Sequence, residues 1–251
     1  MIIDANVKLG PSFKRTSFLA EDYIKEMKAN GIDKAVIMAE KPTSYDISEG
    51  NDYIEEVLTM CPELFYGAVR VDPWNEAKAM DELEQRFENS AFRAVYLNPW
   101  EENYQVNSDI VRPVLDFAAE KQINVIVEAG YVWVSHVSQI ADIASQYPKV
   151  GFLMANAGQM DLSGYSLTDV KYFMKKTPNL YMGTDAAVAA DWTVDLYRNV
   201  SPGKILFETN YPFFEVKLEK ARVELGFFEL EEKAEIYSAN VKKFLRLNET
   251  K

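Results

Sequence analysis

The chain is short of the residues on which most metalloenzymes and disulfide-rich proteins are built. It has one histidine, His136, and one cysteine, Cys61, among 251 residues. Imidazole is the commonest ligand for zinc and related metals and the usual base near neutral pH, so a site built from several histidines is excluded. One cysteine excludes an intramolecular disulfide and a thiolate cluster, and Cys61, set before Pro62 at an expected helix end, reads as structural. Positive charge is also scarce. The 27 basic residues against 39 acidic ones give a formal net charge of −12, with no lysine- or arginine-rich run. That balance argues against nucleic acid and anionic membranes as partners. No apolar stretch approaches the roughly 18 residues of a membrane-spanning helix. Met1-Ile-Ile-Asp4 opens a strand instead of a signal peptide, so a soluble cytoplasmic protein is expected.

What is present is a regular alternation. With 48% hydrophobic residues there is material for a sizeable core. Short apolar runs predict strands within the first ten residues and at 32–39, 64–71, 92–97, 123–129, 150–155, 179–184 and 204–209. Helical spacing predicts helices at 17–30, 52–60, 75–87, 108–121, 135–147, 167–176, 187–199, 216–225 and 229–245. Continuous apolar strands separated by helices indicate a parallel sheet buried on both faces. Eight such units, with no linker or low-complexity break, predict one domain over residues 1–251, an α/β (β/α)8 TIM barrel. A doubly wound open sheet is the competing arrangement, but no glycine-rich phosphate loop follows the first strand.

In such a barrel the chemistry lies at the carboxyl ends of the strands. Those ends carry Asn6 and Lys8, Glu40, Arg70 and Asp72, Tyr96 and Asn98, Glu128, Asn156, Thr184 and Asp185, and Asn210 with Tyr211. Taken singly, each is a residue leaving the core for solvent; taken together, they line a pocket. On a regular strand Asn6 and Lys8 share one face, to which Asp4 also belongs, with Ala5 and Val7 on the other.

The residues assembled in this way resemble the amidohydrolase superfamily, in its amidohydrolase 2 branch of barrel hydrolases and decarboxylases. The likeness runs through Met1-Ile-Ile-Asp-Ala-Asn-Val-Lys-Leu-Gly10, Phe65-Tyr-Gly-Ala-Val-Arg-Val-Asp-Pro73 and Asn124-Val-Ile-Val-Glu-Ala-Gly130. It continues in Phe152-Leu-Met-Ala-Asn-Ala-Gly158, Ile205-Leu-Phe-Glu-Thr-Asn-Tyr-Pro-Phe213 and the closing Glu235-Ile-Tyr-Ser-Ala-Asn-Val-Lys-Lys-Phe-Leu245. The resemblance implies metal ligands at five positions, and all five are changed: Asn6, Lys8, Glu128, Asn156 and Asn210. Three amides bind cations weakly, an ammonium repels them, and only Glu128 is an anionic ligand. The expectation is therefore no metal and no cofactor, with Lys8 standing in for the metal charge, paired to Glu128 and supported by the three asparagines.

Two readings of function follow. In one, the site is a metal-independent hydrolase of an ester, lactone or amide, or a decarboxylase. Lys8, Glu128 and Asp185 are its catalytic residues, with Asn6, Arg70, Asn156, Asn210 and Tyr96 binding a small carboxylate or amide. In the other, the barrel is catalytically silent and binds such a ligand for sensing or assembly. A Schiff base on Lys8 ranks below both, because Glu128 would stabilise the ammonium. Tyr131, Trp133, Trp100, Tyr104 and Trp192 are expected near the rim, the segment 41–50 as a lid, and His136 at the start of a helix. A homo-oligomer is a further expectation, as large soluble barrels often assemble.

Overall fold

A computed structural model describes residues 1–14, 17–160, 167–187 and 190–247. Eight strands follow one another in sheet order: β1 (Ile3–Leu9), β2 (Lys34–Ala39), β3 (Phe65–Arg70), β4 (Phe92–Leu97), β5 (Asn124–Val127), β6 (Phe152–Met154), β7 (Leu180–Gly183) and β8 (Ile205–Leu206). Every neighbouring pair is parallel. The ring closes because the chain beyond β8 pairs with β1: the Ala5 amide donates to the Phe207 carbonyl at 2.9 Å and the Lys8 amide to the Tyr211 carbonyl at 2.8 Å. This is the (β/α)8 barrel expected from the alternation.

The helices α1 (Ala20–Asn30), α2 (Ile47–Met60), α3 (Glu76–Arg86), α4 (Arg112–Lys121), α5 (Val137–Gln146), α6 (Leu167–Lys176), α7 (Ala190–Asn199) and α8 (Val216–Glu224) connect and follow the strands. A final helical run combines α9 (Leu230–Ala234), a π turn at Glu235–Ala239 and α10 (Asn240–Phe244). α2 begins five residues earlier than periodicity predicted, because the Asp46 side chain accepts from the Ser48 amide at 3.0 Å and caps it. Four of the ten residues of the expected 41–50 lid are therefore the first turn of a helix.

Two cores result. The larger joins outward strand residues such as Val7, Ile37, Val69, Val95 and Val127 to the inner faces of the helices. The smaller fills the barrel with Ile3, Ala5, Val36, Met38, Ala68, Ala94, Tyr96, Ile126, Leu153 and Leu206, and α10 adds Val241 and Phe244. Asn124 Nδ2 donates to the Phe244 carbonyl at 2.5 Å and Asn240 Nδ2 to the Ile205 carbonyl at 2.9 Å, fixing that helix to the barrel.

β1 departs from simple alternation. Between Asp4 and Val7 it advances three residues while β2 advances two, from Ala35 to Ile37, which is a β-bulge. Ala5 is therefore in the interior core and Val7 in the outer one, not on one face as a regular strand would have them. Asp4 does not join Lys8. It accepts from Tyr23 of α1 at 2.7 Å, from the Thr209 hydroxyl and amide, and from the Asn6 amide.

Burial pushes the Asp4 pKa up to about 6 from 3.8, against the pull of those four donors. The folded state thus holds a proton that the unfolded chain releases near pH 4. This contribution to stability is complete below that pH and is lost as the pH rises through about 6. Tyr23→Phe removes a donor to a buried carboxylate, and a loss of about 1–3 kcal/mol is expected where Asp4 is ionised. Urea unfolding should show a larger loss above pH 6 than below pH 4; an equal loss at both would contradict the assignment.

Candidate functional site

The carboxyl ends of the strands bring five of the candidate residues into one hydrogen-bonded group. Lys8 from β1 is 1% exposed and its Nζ lies 2.8 Å from Glu128 Oε2, just beyond β5. The ammonium also donates to Asn210 Oδ1. Glu128 accepts on the same oxygen from the Tyr96 hydroxyl at 3.0 Å, and on the other from Asn156 Nδ2 at 2.9 Å. Asn210 Nδ2 donates to Asn156 Oδ1 at 2.6 Å, which closes a ring of side chains from β1, β5, β6 and β8. The Lys8 ammonium also stands over Tyr96 and Phe213, 5.8 and 5.6 Å from their ring centroids.

Local backbone conformation aims two of these groups. Asn156 and Asn210 have φ of 57° and 51°, left-handed values that asparagine tolerates better than most residues. Both occur where a strand ends.

The electrostatics follow from burial and pairing. Burial opposes the charge on Lys8, but the Glu128 carboxylate outweighs it and holds the lysine above its usual pKa. Burial likewise opposes ionisation of Glu128, and Lys8, Asn156 and Tyr96 together hold it below the usual carboxylate range. Both members are charged at neutral pH. A charged Lys8 does not favour a Schiff base.

Asp185, after β7, accepts from the Asn156 amide at 3.0 Å. Its partner is a residue that sequence reasoning missed. Glu208, fully buried after β8, hydrogen-bonds Asp185. Burial and the Asp185 charge push Glu208 well above the usual carboxylate range, and burial also raises Asp185. Gly183 makes room for this pair: a Cβ there would lie 1.8 Å from Glu208 Oε2. The signal was a glutamate inside Phe207-Glu208-Thr209-Asn210, a charged residue at the end of an apolar strand.

Arg70 belongs to a different cluster. Its guanidinium donates to Glu101 and Glu102 at 2.6 Å each and to the Ala39 carbonyl at 3.1 Å. It is thus already paired with acids from the β4–α4 loop. Burial raises the Glu101 pKa, but Arg70 and Lys14 prevail and hold it at about 2. Asn6 is fully buried, and neither its amide nitrogen nor its oxygen has a hydrogen-bond partner among the described residues.

Among the rim residues, Trp100 stacks on Tyr131 at 4.9 Å and 6°, and Trp133 is exposed. Tyr104 is buried, and Trp192 packs partly buried against the outer core. His136 caps α5 through Ser138 and sits 3.5 Å from Asp169 of α6. No group of three or more His, Cys, Asp or Glu side chains placed to hold a metal ion occurs among the described residues. No helix there is long and apolar enough to cross a membrane.

Replacing one member of the central pair leaves a buried charge alone, which typically costs about 3–5 kcal/mol. Lys8→Met should lose stability of that size in chemical denaturation, and Lys8→Met with Glu128→Gln should recover most of it. A single variant as stable as the double would show that the two groups do not depend on each other.

The family model described as Amidohydrolase matches residues 6–247. Comparison with curated proteins finds no match. Solved structures share the fold at low identity. The 2,6-dihydroxybenzoate decarboxylase from Rhizobium superposes with a TM-score of 0.80 at 12% identity, covering 99% of this chain and 100% of that one. A dihydroxybenzoic acid decarboxylase from a Polaromonas species, solved with bound manganese and the inhibitor 2-nitroresorcinol, gives 0.75 at 13%, covering 99% and 98%. The 4-oxalomesaconate hydratase from Rhodopseudomonas palustris gives 0.73 at 17%, covering 99% and 97%. With the family match spanning nearly its whole length, the chain belongs to the amidohydrolase family.

Proposed function

We propose that the barrel mouth binds a small organic acid or amide and acts on it as a metal-independent hydrolase or decarboxylase. The observation that carries this reading is the set of buried polar groups left open around the central pair. The Asn6 side-chain amide has no partner, and neither do Asp185 Oδ2 and both Glu208 carboxyl oxygens, among the described residues. Groups of this kind are costly to bury unless a bound molecule completes their hydrogen bonds.

The residues present do not fit a divalent cation. At the five positions implied by the family, Glu128 is the one carboxylate, and it is bound to an ammonium 2.8 Å away. A cation placed there would meet the Lys8 charge at close range in a low-dielectric interior.

In this reading the Lys8 ammonium takes the role of fixed positive charge and faces the substrate carboxylate or carbonyl oxygen, where negative charge develops. Asn156 and Asn210 orient that charge through Glu128 and their own amide bond. As a general base, Asp185 is better suited than Glu128, whose oxygens are held by three donors and which is a weak base. Burial raises both members of the Asp185–Glu208 pair, which makes it the site's proton-carrying group. In decarboxylation the carbon–carboxylate bond breaks, its electron pair stays on the substrate carbon, and the pair delivers the proton. In hydrolysis the same pair accepts a proton from the attacking water. Arg70, already bound by Glu101 and Glu102, would position the rim more than it binds an anion.

The silent-barrel alternative is favoured by one observation: the ring of Lys8, Glu128, Asn156 and Asn210 is internally closed. The two readings separate in one assay. Protein treated with a chelator and given hydroxybenzoates, simple lactones and amides should turn over at least one of them, followed by product chromatography. Asp185→Asn should reduce that rate by about a hundredfold or more, as expected for loss of a general acid–base. Turnover that requires added manganese would refute the metal-independent reading. Thermal stabilisation by a carboxylate, lost in Lys8→Ala, with no turnover of any compound would favour the silent barrel.

A further inference from the structure

The face of the barrel opposite the mouth holds a feature that this reading does not use. A cleft of about 570 Å³ opens there beside β5, β6 and β7 and the end of α10. Its walls carry Lys149, Lys176, Lys243 and Arg246, and no aspartate or glutamate. Lys204 adjoins it. Burial and the neighbouring Lys243 charge hold Lys204 below the usual lysine pKa, so positive groups here face one another.

This is unusual for the chain as a whole. It carries twelve more acidic than basic residues, and many of its cations elsewhere are matched: Lys14, Lys41, Lys78, Arg86, Arg198 and Lys233 each meet a carboxylate. None of the five cations at the cleft forms an ion pair among the described residues. Lys204 donates to the Pro178 carbonyl, and Lys176 to the Tyr172 hydroxyl. Arg246 donates to the Lys149 carbonyl at 2.8 Å, which fixes the guanidinium at the cleft. The wall amides are already used: Asn124 bonds Gly151 and Phe244, and Asn179 Nδ2 bonds three carbonyls. The charges, with the Thr177 and Tyr181 hydroxyls, remain for a ligand.

We infer that this cleft binds a small anion carrying two or more negative charges, of the phosphate-bearing class. The volume matches that of ordinary small-molecule sites. Several cations around one cleft suit a multiply charged ligand better than a monocarboxylate, and an arginine fork pairs with phosphate oxygens in two-point geometry. A long polyanion is disfavoured because the rest of the surface is acidic. The ligand spans β5–β7 on one side and Lys243 and Arg246 of the terminal helical segment on the other, so binding braces that helix against the barrel floor. The mouth lies at the other end of the strands, so the ligand is an effector and not the substrate.

The test uses the full chain and inorganic pyrophosphate. Titration calorimetry at low ionic strength should show one site per chain, and melting should shift upward with pyrophosphate. Affinity should fall at least tenfold in Lys149→Gln with Lys243→Gln, two exposed positions whose replacement leaves the core untouched. It should also weaken with added salt, as screening requires. Lys78→Gln, a cation on another face, should bind as the parent does. No heat and no melting shift with millimolar pyrophosphate would overturn the inference. So would binding that the double variant leaves unchanged.

Discussion

The buried contact between Lys8 and Glu128 is the constraint on which the rest of the barrel mouth depends. Two ionised groups removed from water are tolerated only if each is the other's counter-charge and their remaining valences are met. That demand explains the neighbouring residues. Tyr96 and Asn156 donate to the carboxylate, Asn210 accepts from the ammonium, and Asn156 and Asn210 bond each other. It also explains local backbone geometry: the bulge in β1 turns Lys8 inward after Ala5, and left-handed φ values end the segments bearing the two asparagines. A second buried charge follows the same rule differently. Among the described residues Asp185 has no cation at hydrogen-bonding distance, and burial raises it and its neighbour Glu208, in space that only a glycine at 183 leaves free.

The fold was legible because a parallel barrel imposes a simple signal, apolar strands buried on both faces and separated by amphipathic helices. The strand ends, where that signal breaks into polar residues, pointed to most of the site. Lys8, Glu128, Asn156, Asn210 and Tyr96 do meet there. What remained hidden has physical reasons. Strict two-residue alternation gave the wrong company to Asp4 and Ala5, since a bulge changes phase without leaving a mark in so short a strand. Arg70 read as an anion binder because its partners, Glu101 and Glu102, lie in a loop whose path the sequence does not specify. Glu208 lies inside the matched stretch Ile205–Phe213, but its importance rests on its contact with Asp185, twenty-three residues away.

The two ends of the barrel use charge in opposite ways. At the mouth, cations and anions alternate and compensate at hydrogen-bond distance, in the Lys8–Glu128 pair and in the Arg70–Glu101–Glu102 cluster. On the amino face, cations collect around a cleft without carboxylates, although the chain is strongly acidic. The first arrangement fixes side chains for one geometry. The second leaves charge open to whatever anion fits.

The central claim is that the Lys8 ammonium occupies the charge position that a cation would hold in a barrel of this family. Crystals grown in manganese and measured at its absorption edge test it directly. The account predicts no anomalous peak between Glu128, Asn156 and Asn210, with Lys8 Nζ within hydrogen-bond distance of Glu128. A manganese peak bound to Glu128, with Lys8 turned away, would contradict it.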